Sequence, residues 1–335
     1  MTLLALAIAA AVVVLIAGIY GFASFGAVWG RLHYGWVPVT LAGAVLATIA
    51  YVIAYCAVMR LDDGPRVATA LVIRLVTLGF GPFVPAGGFA VDKRALHALE
   101  GDERRAQIRV LGLGAFEWAL LAPAAWICAV VLLVVGDTRP MPSLLWPWAL
   151  AVPAGFAIGL WAAAPSRRER FSGEHGGWRG HAGDALQAIG TLHLLAGEPR
   201  RHWRAWVGMA LYWALEIVAF YGAVRAAGLR PNAAEVILAY ATGYALTRRS
   251  IPLGGAGATE ALMTFALHWV GQPVMPALVA VVIYRVFNLL LPVAPALLVR
   301  RRVRPLLTAA DEERVPARRE RRRAAAPLGQ SRSET

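Results

Sequence analysis

Six apolar segments of this sequence are each long enough to cross a lipid bilayer. They cover residues 2–22, 37–60, 108–135, 144–163, 203–225 and 275–299. About 20 apolar residues are needed to span the hydrocarbon core as a helix, and a helix satisfies its own backbone hydrogen bonds in lipid. Because 59% of the 335 residues are hydrophobic and only 16% are charged, we predict an all-α, polytopic membrane helix bundle with about six full spans.

The net charge of +13 is concentrated in two segments, Arg167 to Arg204 and Arg300 to Arg323. Clustered arginine beside apolar spans is typical of cytoplasmic loops, so both termini are predicted to be cytoplasmic and nucleic-acid binding is not expected. Residues 306–335, rich in Arg, Ala and Glu, are predicted to form a disordered basic tail. The two cysteines, Cys56 and Cys128, lie in apolar segments. We therefore expect neither a metal site nor a cofactor.

Two remaining segments, 66–104 and 226–274, begin and end on the same side of the membrane if the six spans are right. Each contains a short apolar stretch and a tip with proline and glycine, PAGG at residues 85–88 and PLGG at residues 252–255. We interpret them as re-entrant hairpins that enter from opposite faces. The halves, about 1–135 and 144–305, then form an inverted repeat, a frequent transporter design. The alternative is that proline and glycine only kink packed helices.

Several charged residues lie within the apolar segments, where a charge costs about 2.5–3.5 kcal/mol on insertion scales. One interpretation is structural: Glu260 pairs with Arg285, and Glu117 and Glu216 pair with Arg74. The other is functional: arginines face a cavity and bind phosphate through their guanidinium forks. In that case the glycines near the start of a helix at Gly257 allow a headgroup to approach the backbone.

The segments IPLGGAGATEALMTFALHWVG and VVIYRVFNLLLPVAPALL resemble the transmembrane region of lysylphosphatidylglycerol synthases. This flippase-like membrane domain also occurs as a stand-alone protein in bacteria and archaea. The matching positions are Pro252, Gly254, Gly255, Gly257 and Glu260, then Tyr284, Arg285 and Pro292. In the first half, FVPAGGFAVDKRAL resembles the family's first hairpin. The chain departs from the family at Ala256, where leucine or isoleucine is usual, and at Thr259, where arginine is frequent.

The resemblance covers roughly residues 1–305 and implies a lipid translocase in a bacterial or archaeal cell membrane. The residues after 305 are too few for the family's aminoacyl-transfer domain, so we expect no enzyme activity. The expected partners are membrane lipids: a phospholipid, an aminoacyl-lipid or a polyprenyl-phosphate-linked lipid. The predicted substrate-binding residues are Arg74, Gly87, Gly88, Arg248, Arg249, Gly254, Gly255, Gly257, Glu260, Tyr284 and Arg285.

Two other functions remain open from the sequence. One is an intramembrane enzyme acting on lipid-linked substrates, with Glu117, Glu216 or Glu260 as the base. The other is a membrane protein that binds a partner without transporting anything. The sequence does not fix the oligomeric state.

Overall fold

The computed structural model describes residues 2–61, 64–80, 88–136, 140–164, 178–245, 255–290, 292–293 and 295–299. Within these ranges all regular secondary structure is helical, which confirms the predicted all-α class. The predicted tail 306–335 and the tips of both predicted hairpins, apart from Gly88 and Gly255, lie outside the described residues.

Five helices are long and apolar enough to cross a membrane. They are α1 (Thr2–Tyr20), α3 (Val37–Met59), α6 (Glu103–Val135), α7 (Pro142–Ala162) and α9 (Trp203–Ala226). A short helix α2 (Phe22–Trp29) follows α1, and a 3₁₀ turn at Tyr34–Trp36 leads into α3. These five helices correspond to the first five predicted spans and confirm a polytopic membrane helix bundle.

The sixth predicted span differs from the other five. Its described part begins with α12 (Val274–Arg285), which continues as a π-helix over Val286–Leu290. Short π-helical turns are rare and frequently occur at functional sites. The helical geometry therefore changes at the charged residue Arg285, near the middle of the predicted span.

Each predicted hairpin contains two short helices in contact with each other. The first pair is α4 (Thr69–Phe80) and α5 (Gly88–Glu100). The second pair is α10 (Ala233–Tyr240), which continues as a π-helix over Ala241–Ala245, and α11 (Ala258–Trp269). That the two pairs dip into the bilayer from opposite faces remains a prediction.

Glycine brings the two helices of each pair into backbone contact. A Cβ on Gly88 would lie 2.6 Å from the carbonyl oxygen of Gly79, and a Cβ on Gly243 would lie 2.5 Å from the Cα of Met263. Real Cβ atoms do not come this close to backbone atoms, so neither position tolerates a larger residue without a shift of the chain. Small residues at helix contacts are the usual means of close packing in membranes.

Helices α3 and α9 form the centre of the bundle. Gly43 packs on Ala219 and Gly208 packs on Ala54, in each case at distances that leave no room for a Cβ. In the predicted repeat, α3 and α9 are the second spans of the two halves. Their contact therefore joins the halves and places their inward-facing polar residues close to each other.

Helix α8 (Trp178–Gly197) packs along the beginning of α6. Asp184 accepts a hydrogen bond from Arg104 Nε at 2.9 Å and another from Gln107 at 3.1 Å. Gly112 approaches Thr191 so closely that a Cβ would lie 2.3 Å from the Thr191 hydroxyl. Helix α8 is thus fixed against α6 at the end of the bundle where α6 begins.

Candidate functional site

A buried ion pair joins α11 and α12. Arg285 Nε lies 2.7 Å from Glu260 Oε1, and the two side chains are 6% and 2% exposed. The Arg285 guanidinium also donates to Asn288 Oδ1 at 3.4 Å, in the π-helical turn. The pairing of Glu260 with Arg285 expected from the sequence is therefore confirmed.

Glu260 is held in place by the start of its own helix. Gly257 precedes α11 with φ of +83°, a backbone conformation that favours glycine. The backbone N–H of Gly257 donates to Glu260 Oε2 at 2.6 Å. Gly257 has no side chain to cap in return, so only the carboxylate half of a capping box exists here. A carboxylate in the first turn also interacts favourably with the helix dipole.

A second buried carboxylate, Glu216 of α9, lies beside this pair. Tyr284 donates its hydroxyl to Glu216 Oε2 at 2.5 Å, and Tyr240 donates to the same oxygen at 3.5 Å. Asn288 in turn donates to the Tyr284 hydroxyl at 3.3 Å. Because Asn288 also contacts Arg285, one continuous hydrogen-bond network connects Glu216 with Glu260. We call this set, Glu216, Tyr240, Glu260, Tyr284, Arg285 and Asn288, the polar network.

The first half of the chain contains a related pair. Tyr51 of α3 donates to Glu117 Oε1 of α6 at 2.5 Å, and Trp213 donates to the Glu117 backbone carbonyl at 2.9 Å. In the second half, Glu216 is on the second predicted span and Tyr284 is on the third. In the first half the order is reversed, with Tyr51 on the second span and Glu117 on the third. Each half thus holds one buried carboxylate with a tyrosine donor.

Aromatic rings connect these two carboxylates through the core. The ring centroids are 4.9 Å apart for Tyr51 and Tyr212, 4.6 Å for Tyr212 and Trp213, and 6.1 Å for Trp213 and Tyr240. Tyr240 then lies 6.3 Å from Tyr284. Such contacts pack the interior, while the hydroxyls of Tyr51, Tyr240 and Tyr284 donate to the carboxylates. Among the described residues, no group of three or more His, Cys, Asp and Glu side chains is arranged to hold a metal.

The predicted site residues are distributed as follows. Gly257, Glu260, Tyr284 and Arg285 lie together, and buried Gly255 lies at the start of the same turn, with φ of +69°. Arg74 lies half-buried on α4, and Gly88 begins α5 against Gly79. The remaining predicted site residues lie outside the described residues; they are Gly87, Arg248, Arg249 and Gly254.

The sequence interpretation expected Arg74 to satisfy Glu117 and Glu216, whereas the structure gives both carboxylates tyrosine donors. Sequence reasoning also missed Asn288 and Tyr240. One signal was available: Asn288 follows Arg285 by three residues, a spacing that places both on the same side of a helix. In this conformation Arg285 is engaged by Glu260, so an anion that binds it must displace that carboxylate or share the guanidinium with it.

A comparison with curated proteins gives no match. The family model described as the lysylphosphatidylglycerol synthase TM region matches residues 2–296. The match includes all five long helices, both pairs of short helices and the whole polar network. The chain therefore belongs to the lysylphosphatidylglycerol synthase transmembrane-region family.

Proposed function

We propose that this protein translocates a lipid across the membrane, and that the lipid headgroup passes the polar network while the tails stay in hydrocarbon. The supporting observation is the polar network itself, buried in an apolar bundle and built from four different helices. Replacing a buried ion pair by apolar residues is often neutral or stabilising, so packing alone does not require one here. Ionisable residues inside a membrane protein usually belong to a substrate or ion pathway.

The proposed mechanism is alternating access between the two halves. In one state Glu260 holds Arg285, as observed. In the other, the phosphate of a headgroup replaces Glu260 on the guanidinium, and Glu260 keeps its bond to the start of α11. The positive end of the α11 dipole favours a phosphate at the start of that helix, and Arg248 and Arg249 add positive charge on the same segment.

The orientation and the energy source are also part of the proposal. The arginine-rich segments Arg167 to Arg204 and Arg300 to Arg323 favour cytoplasmic termini, in a bacterial or archaeal cell membrane. We propose that this membrane domain has no catalytic role. The driving force is then a gradient, a partner protein or the lipid concentration difference itself.

Reconstitution in lipid vesicles tests translocation directly. Vesicles carry a trace of fluorescent phosphatidylglycerol, lysyl-phosphatidylglycerol or a polyprenyl phosphate, and dithionite quenches the label in the outer leaflet. If the protein translocates a lipid, dithionite is expected to quench more of at least one label than the half that lies in the outer leaflet. Rates equal to those of protein-free vesicles for every label would refute the proposal.

Lipid analysis of a deletion strain separates transport from enzyme activity. A transporter leaves every lipid species present and changes only how much of one species is exposed on the outer leaflet. The disappearance of a lipid species from the deletion strain, with recovery on re-expression, would instead favour the intramembrane enzyme.

A further inference from the structure

An apolar groove runs along one face of α7, outside the polar network. It encloses about 610 Å³. On α7 the lining residues recur every three to four positions, and they include the small residues Ala151, Gly155 and Gly159. On the opposite side lie Ala115, Ala119 and Ala122 of α6, closed at one end by α8. Small residues on two facing helices usually permit close packing, yet here a space remains between them.

The groove extends along almost the whole of α7. It is lined from Ser143, at the second residue of the helix, to Leu160, two residues before its end. At 1.5 Å per residue this distance is roughly 25 Å, compared with about 30 Å for the whole hydrocarbon core. The groove is therefore much longer than one leaflet, which is about 15 Å deep.

The length and the apolar lining of the groove suit a hydrocarbon chain. Nearly all lining residues are apolar, and apolar cavities do not hold water well. The groove is also continuous with the lipid-facing surface of α7, where Leu150 and Ile158 are exposed.

One residue of the groove lining belongs to the segment that also carries Tyr240 of the polar network. Thr242, in the π-helical turn after Tyr240, lines the groove and accepts a hydrogen bond from Trp148 at 2.8 Å. Tyr240 belongs to the polar network through its bond to Glu216. A tail in the groove can thus keep contact with the protein while its headgroup lies beside the network.

We propose that the groove binds one hydrocarbon tail longer than a single leaflet, and that the cargo is consequently a lipid of the polyprenyl-phosphate class. A diacyl phospholipid reaches only to the bilayer midplane and would fill about half of the groove. The choice of cargo rests on the proposed function, whereas the tail site stands on the groove alone.

Filling the groove tests the proposal. Gly155 lines the groove, and a Cβ there would have no atom within 4 Å, so Gly155→Phe introduces a ring at a position where its first atom meets no neighbour. Ala151→Phe is a second filling variant at an exposed lining position. Ile158→Phe is the matched control, since it adds a ring to the same helix at a side chain that is 64% exposed.

The readout is the amount of undecaprenyl phosphate, and separately of dioleoyl phosphatidylglycerol, that stays bound to the purified full chain after detergent exchange. Wild type and Ile158→Phe are expected to retain undecaprenyl phosphate preferentially. Both filling variants are expected to bind it about tenfold more weakly, a change equivalent to about 1.4 kcal/mol, with unchanged melting temperatures. Equal retention of the two lipids by wild type, or undiminished retention by both filling variants, would overturn the proposal.

Transport of a polyprenyl phosphate in vesicles distinguishes failure of the tail-site proposal from failure of the proposed function. If wild type retains the lipid but does not translocate it, the tail site stands and translocation of this lipid class is refuted. If wild type translocates it and the filling variants bind and translocate equally well, translocation stands and the tail site is refuted.

Discussion

Glu260 and Arg285 offer the sharpest test of how the core is held together. Their charged atoms are 2.7 Å apart and both side chains are almost fully buried. Removing one partner of a buried pair costs about 3–5 kcal/mol, because the other charge is left uncompensated. Glu260→Gln keeps an acceptor for the Gly257 N–H, so we expect the lower end of that range, about 3 kcal/mol. Arg285→Met, which leaves the carboxylate buried, is expected to cost about as much.

The double variant Glu260→Gln, Arg285→Met tests whether the two charges depend on each other, because it removes both of them. It is expected to be no less stable than either single variant, which corresponds to a coupling energy of at least about 3 kcal/mol. Unfolding of the purified protein by sodium dodecyl sulfate, followed by tryptophan fluorescence, measures all four stabilities.

An exposed pair provides the matched control. Arg201 and Glu198 are 3.0 Å apart, with side chains 75% and 59% exposed, and exposed pairs contribute only about 0–1 kcal/mol. The cycle of Glu198→Gln and Arg201→Gln is therefore expected to show almost no coupling. If the buried pair gives a coupling energy as small as that of the exposed pair, Arg285 does not depend on Glu260 and the reasoning is refuted.

Two further predictions use the same unfolding assay. Gly243→Ala places a Cβ 2.5 Å from a backbone atom of α11 and is expected to lower the free energy of unfolding by about 1–3 kcal/mol. The control Gly26→Ala, whose Cβ has open space around it, should be neutral or slightly stabilising. Equal effects of the two variants would show that the helix contact at Gly243 is not tight. Tyr284→Phe removes the hydroxyl donor of Glu216 and is expected to cost about 1.5–3 kcal/mol, against no measurable change for Tyr34→Phe, which is 67% exposed. A Tyr284→Phe variant as stable as wild type would mean that Glu216 finds another donor at no cost.

The spans were predictable because membrane crossing depends on a local property, the length of an apolar run. Five predicted spans correspond to long apolar helices. The division of the sixth into α12 and a π-helical turn was not predictable from hydropathy. Residues 286–290 are as apolar as the helix before them, and the change of geometry coincides with the contact between Arg285 and Asn288.

The site was predictable to the extent that opposite charges in lipid must find each other. Glu260 and Arg285 are both charged, lie in neighbouring segments and form the expected pair. The tyrosine donors of Glu117 and Glu216 were missed, because a tyrosine in an apolar helix also serves as a packing residue. The Tyr51–Glu117 and Tyr284–Glu216 contacts join residues 66 and 68 positions apart, and nothing in the local pattern around either residue indicates its partner.

Lipid translocation by the double variant Glu260→Gln, Arg285→Met tests the central claim most directly. Because both charges are removed together, this variant is expected to fold, and its stability is known from the unfolding cycle. In vesicles containing the label that wild type translocates fastest, we predict a rate equal to that of protein-free vesicles. A folded double variant that translocates the lipid as fast as wild type would contradict the claim that the polar network is where the headgroup passes.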